Sequence, residues 1–283
     1  MKTALITGAS DGIGEQAARQ LAGDGWRVAV IGRNPDKTRK VAQDLGALYY
    51  IADFSSLSQV AALAHRLLND FPRVDLLSLN AGGIFPKQAP TEDGFELTFQ
   101  VDHLAHFLLT NLLLPRLMES RAKVVSTSSI AHKMLGFRFD VSDVAKPRRY
   151  SQHLAYGNAK LANILFTKEL HRRYGDRGIA SAAYHPGFVA TNFANDKRSP
   201  MGLVYHTALR KLMRMLSPEE GADTLVWLAK TTPGQDWQSG QYYVKRKQVR
   251  PSKKARDADL AKALWDRSQA LCAPYLTKTE GKE

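Results

Sequence analysis

The feature that most constrains the fold of this chain is an alternation of short apolar runs with longer amphipathic segments of helical length. The runs are rich in branched side chains, as expected of strands buried on both faces of a sheet. They are Ala4–Thr7, Val28–Ile31, Leu48–Ile51, Val74–Leu79, Lys123–Thr127 and Ile179–Tyr184, with Tyr242–Val244 as a seventh candidate. This order is typical of the α/β class. It predicts a doubly wound parallel sheet of about seven strands covered by helices on both sides.

Helix-end signals support the helices predicted between these runs. Asn34-Pro35 supplies a capping side chain followed by proline in the first turn, Gly46 follows the last residue of that helix, and Ser217-Pro218 repeats the start signal. The predicted helices are Ile13–Ala22, Lys37–Leu45, Leu57–Asn69, Gly94–Met118, Leu154–Tyr174, Ser217–Ala229 and Leu260–Leu271. With 283 residues, 44% of them hydrophobic, the chain can form one large core. Because no repeat or low-complexity linker divides it, we predict a single domain over residues 1–283.

Cysteine content and hydropathy bear on the cellular compartment. The single cysteine, Cys272, cannot form an intramolecular disulfide, so a reducing compartment is the simplest expectation. The longest apolar stretch, Phe107–Met118, is shorter than the roughly 20 residues of a membrane span and is interrupted by Asn111, Pro115 and Arg116. The first residues have no secretion-signal pattern. We therefore predict a cytoplasmic protein without an integral membrane segment, and no spacing indicates a metal site.

A formal net charge of +13 raises the question of a polyanionic partner. The densest basic run, residues 245–256, holds seven Lys or Arg but no interleaved aromatic residues of the kind that stack on bases. We therefore expect no nucleic-acid partner and interpret the charge as a solvated basic face that attracts anionic ligands in general.

A glycine-rich segment lies between the first apolar run and the first helix. It reads Thr7-Gly8-Ala9-Ser10-Asp11-Gly12-Ile13-Gly14. Glycines in this context let the backbone turn tightly and approach a pyrophosphate, while the helix N-terminus presents free N–H groups and a positive dipole end. A glycine cluster alone indicates only a tight turn. Its place between strand and helix predicts a dinucleotide site and a Rossmann-type fold.

The end of the second predicted strand indicates which dinucleotide binds. Gly32 and Arg33 occupy the place where an acidic residue would hydrogen-bond the adenosine ribose. Glycine leaves room for a 2′-phosphate, and a guanidinium can bind that phosphate through paired hydrogen bonds. We predict NADP(H) rather than NAD(H). The plain alternative is an exposed arginine at a strand end with no ligand.

Tyr156 and Lys160 are four residues apart in a predicted helix, so their side chains share one face. An ammonium group near a phenol favours the phenolate, and lowering the phenol pKa from about 10 to about 7 requires roughly 4 kcal/mol of differential interaction. Tyr243 and Lys247 have the same spacing in a segment predicted to be extended, where the two side chains are too far apart. The pair at Tyr156 therefore predicts an acid–base group active near neutral pH.

The spacing Gly-x3-Gly-x-Gly and the Tyr156-x3-Lys160 pair resemble the short-chain dehydrogenase/reductase superfamily. Further segments resemble its retinol dehydrogenase and WW-domain oxidoreductase branch, which acts largely on lipophilic carbonyls and alcohols. These segments are residues 94–101, 160–166, 217–222 and 255–257, with Leu264-Trp265. The resemblance extends over nearly the whole chain.

The resemblance implies roles for individual residues. Ser129 would hydrogen-bond the reacting oxygen, Tyr156 would exchange a proton with it, and Lys160 would lower the Tyr156 pKa and hold the nicotinamide ribose. The implied cofactor-binding residues are Gly8, Ser10, Asp11, Gly12, Ile13, Gly14, Arg33, Asn34, Asp53, Phe54, Asn80, Ala81, Gly82, Tyr156, Lys160, Pro186, Gly187, Val189 and Thr191. Among them Asp53 would contact the adenine amino group, and the Pro186–Thr191 segment would hold the carboxamide.

One departure from the family pattern concerns proton return. Where the family has asparagine in Val-Asn-His, this chain has Val101-Asp102-His103. The family's asparagine helps to hold a water that links the lysine to solvent, and an ionised aspartate accepts hydrogen bonds but cannot donate them. We include Asp102 among the catalytic residues. Three alternatives stay open at this point: a relay with altered pH dependence, a crippled relay, and an Asp102 that merely faces solvent.

These observations predict an NADP(H)-dependent oxidoreductase that interconverts a carbonyl and an alcohol on a lipophilic small molecule. The alternative from another class is a non-catalytic NADP(H)-binding regulatory protein, which only Asp102 favours. A sugar epimerase or dehydratase is a weaker alternative. Relatives are commonly dimers or tetramers, so a homodimer or homotetramer is expected.

Two segments interrupt the alternation and are expected to shape the substrate pocket, one near residues 130–152 and one near 192–216. Phe137, Phe139, Phe188, Phe193, Leu203 and Tyr205 would give that pocket an apolar lining. The second segment fits a mobile cover or an ordinary surface helix. A membrane-surface helix is least favoured, because the apolar stripe is short and has no Trp or Phe.

Overall fold

Alternate residues of the central strands face opposite sides of one sheet, and both sides are apolar. A computed structural model describes residues 1–85, 89–189 and 215–276. Its strands are β1 (Thr3–Thr7), β2 (Arg27–Gly32), β3 (Leu48–Ile51), β4 (Leu76–Leu79), β5 (Lys123–Thr127), β6 (Ala180–His185), β7 (Gln241–Val244) and β8 (Lys247–Gln248). They form one sheet in the order β3-β2-β1-β4-β5-β6-β7-β8. All neighbouring pairs are parallel except β7 with β8.

The described helices connect the strands and cover both faces of the sheet. They are α1 (Gly12–Gly23), α2 (Pro35–Leu45), α3 (Leu57–Asp70), α4 (Leu97–Phe99), α5 (Ala105–Glu119), α6 (Ala131–Met134), α7 (Gln152–Tyr174), α8 (Pro218–Lys230) and α9 (Ala258–Leu276). One π-helical turn, Gln100–Leu104, joins α4 to α5. No helix in these described parts of the chain is both long and apolar enough to cross a bilayer.

Two apolar layers hold the sheet between its helices. Leu5 and Ile31 face one layer, formed with α3, α5, α7 and α9. Ala4 and Ile6 face the other, formed with α1, α2 and α8. The order in which strands are added to the sheet reverses at β1. From β1 the chain continues to β2 and β3 on one side, and β4 then lies on the other side of β1. Open parallel sheets bind ligands at this reversal, beyond the carboxyl ends of the strands. The doubly wound α/β prediction is confirmed.

The predicted helix Gly94–Met118 is shorter at its start than expected and is not regular. Glu96 caps α4 because its carboxylate accepts hydrogen bonds from the backbone N–H groups of Thr98 and Phe99, at 2.8 and 2.7 Å. The helix therefore begins at Leu97 and continues through the π turn to Glu119. Extra-residue turns of this kind occur often at functional sites.

Two further boundaries differ from the sequence prediction. Strand β4 begins at Leu76 rather than Val74, because the Val74 N–H donates to Ser120 Oγ at 3.0 Å and does not join the ladder. The sheet has an eighth strand, because Lys245 and Arg246 adopt left-handed backbone conformations, with φ of 50° and 60°, and turn the chain back into β8. This conformation is uncommon outside glycine, so the residue types do not predict the hairpin.

The segment near 130–152 contains α6 and a 3₁₀ turn, Gly136–Arg138, instead of an open loop. Its Val144 and Ala145 are buried in the core. Of the second segment, residues 192–214 lie outside the described residues, and so do Phe193, Leu203 and Tyr205.

Candidate active site

The glycine-rich loop forms a tight cradle at the start of α1. Gly8 and Gly12 have left-handed backbones, with φ of 66° and 57°. A Cβ atom at Gly14 would collide with the Gly8 carbonyl oxygen. Because α1 begins at Gly12, its unpaired N–H groups and positive dipole end face the edge of the sheet where β1 ends. These residues fit the pyrophosphate of a dinucleotide.

Cationic side chains lie at the end of this cradle next to β2. Arg33 is exposed directly after β2. Lys37 is also exposed, and its ammonium lies 2.7 Å from Asp11 Oδ2 of the glycine-rich loop. Asn34, a predicted cofactor residue, caps α2 by accepting from the Lys37 N–H at 3.0 Å. Lys37 was not among the predicted cofactor residues, although its place four residues after Arg33 would have supported it.

Gly32 has a packing role that the sequence did not reveal. A Cβ atom there would lie 2.8 Å from Ser10 Oγ and would also meet Thr38 Oγ1. The absence of a side chain lets the glycine-rich loop pack against the end of β2. Ser10 and Arg33 are thereby brought to the same end of the cradle.

Asp53 and Phe54, which were predicted to bind the cofactor, follow β3. Asp53 Oδ1 accepts hydrogen bonds from the N–H and the hydroxyl of Ser55, at 2.9 and 2.8 Å. The Phe54 side chain is 5% exposed and packs edge-on against His106, with ring centroids 5.2 Å apart. Its side chain therefore belongs to the core, and only its backbone is available for a cofactor.

Asn80, Ala81 and Gly82 join the end of β4 to the glycine-rich loop. Thr7 Oγ1 accepts from the N–H groups of Asn80 and Ala81, at 2.9 and 3.0 Å. The Asn80 carboxamide donates to the Thr7 carbonyl oxygen at 3.2 Å. The motif thus fixes β4 to β1 at the reversal of the sheet, where a dinucleotide would lie.

Asp102 forms a buried ion pair with Lys160. Asp102 Oδ2 lies 2.8 Å from Lys160 Nζ, and the two side chains are 0% and 3% exposed. Asp102 Oδ1 accepts from the Gly83 N–H at 2.8 Å. Gly82 allows this approach, because a Cβ atom there would lie 2.7 Å from Asp102 Oδ1. The alternative that Asp102 faces solvent is wrong.

The burial of Asp102 changes its acid–base behaviour. Loss of hydration raises the pKa of the Asp102 carboxyl above its ordinary range, and the Lys160 ammonium and the Gly83 N–H partly oppose that rise. The pair carries no net charge wherever its proton lies. Lys160 therefore presents a weaker positive field to its surroundings than an unpaired ammonium would.

Tyr156 lies on α7 beside Lys160, half-buried at the carboxyl edge of the sheet. Lys160 Nζ is 5.3 Å from the centroid of the Tyr156 ring. Gly157 brings this part of α7 close to α6, because a Cβ atom there would collide with the Leu135 side chain. The helical pairing inferred from the four-residue spacing is present in the structure.

Ser129 is held next to this pair by contacts between β5 and α7. The Ser128 hydroxyl donates to the Lys160 carbonyl oxygen at 2.7 Å. The Asn163 carboxamide donates to the Thr127 carbonyl oxygen at 3.0 Å. Ser129 Oγ accepts from the Ala131 N–H at 3.2 Å, so the hydroxyl proton is available to another acceptor. Ser129 is half-buried and suited to donate a hydrogen bond to a ligand oxygen.

The segment after β6 approaches the glycine-rich loop through α8. A Cβ atom at Gly221 would lie 2.6 Å from Val189 Cγ2 and 3.1 Å from Ile13 Cγ1. Pro186 and Gly187 precede Val189 at this edge, and Gly187 has a φ of 91°. Thr191 lies outside the described residues.

Two exposed apolar side chains flank the site. Met134, at the end of α6, is 66% exposed, and Phe188, after Gly187, is 61% exposed. Phe139 was expected in the pocket lining but is 4% exposed and belongs to the core, so it anchors its segment instead. The Phe137 side chain lies outside the described part of the structure. In the described parts of the chain, no three His, Cys, Asp or Glu side chains come together as a metal site.

Two buried histidines near the site were not among the predicted site residues. His132 contacts the Ser129 carbonyl oxygen through Nδ1 at 2.6 Å. His185, the last residue of β6, is 8% exposed, and burial lowers its pKa to about 4. Neither residue carries a local signal in the sequence, because both sites depend on elements that are distant in the chain.

Comparison with known proteins agrees with this geometry. A family model described as short chain dehydrogenase matches residues 2–202. The chain is 41% identical to the Streptomyces sp. (strain C5) protein named "Putative daunorubicin C-13 ketoreductase DnrU", over 95% of this chain and 92% of that protein. It is 35% identical to human retinol dehydrogenase 13, over 95% of this chain and 84% of that one.

Solved structures share the fold over most of the chain. A protein of Mycobacterium paratuberculosis superposes with a TM-score of 0.76 at 34% identity, covering 96% of this chain and 94% of that one. RhlG of Pseudomonas aeruginosa, solved as an NADP active-site complex, superposes with a TM-score of 0.68 at 25% identity, covering 85% of this chain and 93% of that one.

Proposed function

This chain belongs to the short-chain dehydrogenase family, in its retinol dehydrogenase-like branch, and on that premise we propose that it interconverts a carbonyl and an alcohol with NADP(H). The chain is an oxidoreductase by family. The cofactor choice, the residue roles and the lipophilic substrate are our proposal.

The observation that carries the proposal is the arrangement of Ser129, Tyr156 and Lys160 at the carboxyl edge of the sheet. In carbonyl reduction, the Ser129 hydroxyl donates a hydrogen bond to the carbonyl oxygen and stabilises the negative charge that develops there. The Tyr156 phenol transfers its proton to the same oxygen. When bound, a reduced nicotinamide dinucleotide supplies the hydride equivalent to the carbonyl carbon.

Lys160 supports this chemistry from behind Tyr156. Its ammonium, 5.3 Å from the phenol ring, favours the phenolate left after proton transfer. The Asp102 carboxylate keeps the ammonium in place at 2.8 Å. Asp102 is thereby committed to Lys160, so it no longer favours a non-catalytic NADP(H)-binding protein over an enzyme.

NADP(H) is proposed because of the charge at the adenosine end. Arg33 directly follows β2 and is exposed, Lys37 lies 2.7 Å from Asp11 Oδ2 of the glycine-rich loop, and β2 itself ends in Gly32 and not in an acidic residue that would repel a 2′-phosphate. The NADP complex of RhlG supports this choice at the level of the family.

A lipophilic substrate is proposed from the edge of the site. Met134, five residues after Ser129, and Phe188, directly after Gly187, expose apolar surface. Exposed large apolar side chains near a polar reaction centre are typical of sites for hydrophobic ligands. The named ketoreductase and retinol dehydrogenases are consistent with this class.

The test is a panel of lipophilic ketones, aldehydes and alcohols assayed with NADPH, NADH and the oxidised cofactors. We expect turnover with NADP(H) and loss of at least about a hundredfold in kcat for Tyr156→Phe, because this variant removes only the acid. Tyr174→Phe is the matched control, since it removes the same atom at the far end of α7. Near-normal turnover of Tyr156→Phe would overturn the residue assignment.

A further inference from the structure

A buried histidine links the segment after Ser129 to a distant part of the chain. His132 lies on α6 and is 1% exposed. Its Nδ1 is 2.6 Å from the Ser129 carbonyl oxygen. Its Nε2 accepts a hydrogen bond from the Ser252 N–H at 3.2 Å. One imidazole thus joins Ser129 to Ser252, which lies 120 positions after His132 in the chain.

The two partners determine the protonation state of His132. The Ser252 N–H can only donate, so Nε2 must be the accepting nitrogen. The proton therefore lies on Nδ1 and is donated to the Ser129 carbonyl oxygen. A neutral ring in this tautomer satisfies both contacts. Burial, which lowers the pKa of His132, also favours the neutral form.

The segment that holds His132 crosses from the sheet to α9. We define residues 249–256 as the strap. The Val249 N–H donates to the Tyr242 carbonyl oxygen of β7 at 2.8 Å, which fixes one end. Lys254 Nζ donates to the Phe139 carbonyl oxygen at 2.9 Å, and Ala255 is fully buried. The strap therefore contacts the segment after Ser129 at two points, His132 and Phe139.

We propose that His132 is a positioning residue for Ser129 and that the strap acts on the reaction through it. This inference rests on the proposed function, because it gives His132 a role only if Ser129 contacts the reacting oxygen. It also accounts for part of the basic run. Lys254 is used inside the molecule as a donor to the backbone, whereas a solvated basic face would leave it free.

The proposal has a physical basis in the short turn that carries Ser129. Ser129 Oγ accepts a hydrogen bond from the Ala131 N–H at 3.2 Å, and the Ser129 carbonyl oxygen accepts one from the His132 ring Nδ1–H at 2.6 Å. Both contacts fix the backbone from which the hydroxyl projects. Displacement of a reacting group by about 1 Å can lower a rate about a hundredfold, so even small movement of this turn reduces kcat.

The experiment uses the full-length protein and separates the two hydrogen bonds of the ring. His132→Phe keeps an aromatic ring against Tyr242, whose ring centroid is 5.0 Å away, and removes both bonds. His132→Asn keeps an N–H near the position of Nδ1 and loses the acceptor for Ser252. The measurements are kcat, KM for the carbonyl and for NADPH, and the melting temperature, each in the presence and absence of Ser129→Ala.

We expect His132→Phe to lower kcat on the order of tenfold while KM for NADPH changes less than about twofold. His132→Asn should recover part of the loss. In the Ser129→Ala background, His132→Phe should change kcat by less than about twofold. If His132 acts only by positioning the Ser129 hydroxyl, its substitution has no further effect on kcat once that hydroxyl is absent. Phe71→Leu, at the opposite end of the sheet, controls for loss of stability alone.

Two results would overturn the proposal. One is a kcat for His132→Phe that matches the unmodified protein or the Phe71→Leu control. The other is an equal loss with and without the Ser129 hydroxyl. If His132→Phe fails to fold, Lys254→Met tests the strap from its second contact and should lower kcat severalfold with the same dependence on Ser129. Absence of turnover by the unmodified protein on every carbonyl tested would overturn the proposed function itself.

Discussion

Lys160 Nζ lies 2.8 Å from Asp102 Oδ2, and both side chains are buried. A buried charge pair of this kind is neutral overall, and removal of one partner leaves the other without compensation. The effect of Lys160 on Tyr156 therefore depends on Asp102, which stands where the family pattern has asparagine.

Asp102→Asn should move the pH profile of alcohol oxidation to lower pH. The substitution removes the negative charge that compensates Lys160, so the phenolate of Tyr156 becomes easier to form. The expected shift of the acidic limb is about one pH unit. The measurement is kcat/KM against pH for both proteins. Asp266→Asn, which removes an exposed carboxylate on α9, should leave the profile in place, and an unmoved profile in Asp102→Asn would contradict the pairing argument.

Arg33→Ala and Lys37→Ala should weaken binding of NADPH and leave NADH nearly unaffected. Each substitution would remove a charge-assisted contact to the 2′-phosphate. Such a contact is worth roughly 1.5 to 3 kcal/mol, so KM for NADPH should rise about tenfold to a hundredfold. The comparison is KM for each cofactor. Arg39→Ala on the same helix is the matched control. Equal losses for NADPH and NADH would show that the 2′-phosphate is not the ligand of these cations.

Acid should destabilise the fold through two buried histidines of the π turn and α5. Burial lowers the pKa of His103 to about 4 and that of His106 to about 3, from an ordinary value of 6.5. Between these values the unfolded chain binds protons that the folded chain does not, so stability falls as pH decreases below about 6.5. At pH 5 each histidine contributes a loss on the order of 2 kcal/mol.

Urea unfolding at pH 7.5, 6 and 5 measures this slope. His103→Leu should flatten it, although its stability at pH 7.5 will be lower because Asn163 and Ser268 lose their ring partner, at 3.4 and 3.1 Å. His65→Gln, on the exposed side of α3, should keep the original slope. A slope unchanged in His103→Leu would mean that other groups carry the acid sensitivity.

Gly157→Ala should impair both stability and activity. The added methyl group would meet the Leu135 side chain and separate α7 from α6. Helix α7 carries Tyr156, and α6 follows Ser129 in the chain. Overpacking of this kind reduces the free energy of unfolding by about 1 to 3 kcal/mol. Gly23→Ala is the control, because nothing lies within 4 Å of its Cβ position. Melting curves and kcat of the two variants test the difference, and matching behaviour would exclude a tight contact at Gly157.

The sequence predicted the sheet, and it identified most of the residues that the structure brings together at the candidate site, because their signals are local. Apolar periodicity marks the strands, and the motifs around Gly12, Asn80 and Tyr156 each lie at the carboxyl end of a strand or start of a helix. Their convergence follows from parallel strands alone, because every such strand ends at the same edge.

The parts that sequence reasoning missed depend on contacts between distant residues. His132 requires Ser252, and the packing role of Gly32 requires Ser10 and Thr38. The burial of Asp102 follows from the π turn, which has no residue signature of its own. The β7–β8 hairpin uses Lys245 and Arg246 where glycine or asparagine would announce the turn.

That hairpin has a consequence for self-association. Strand β8 is only two residues long and includes Lys247, and it occupies one border of the sheet. Short, charged border strands resist pairing with extended segments of other molecules and so protect against aggregation. If copies of the chain associate at this border, we expect contacts between side chains and helices rather than a continuous intermolecular sheet.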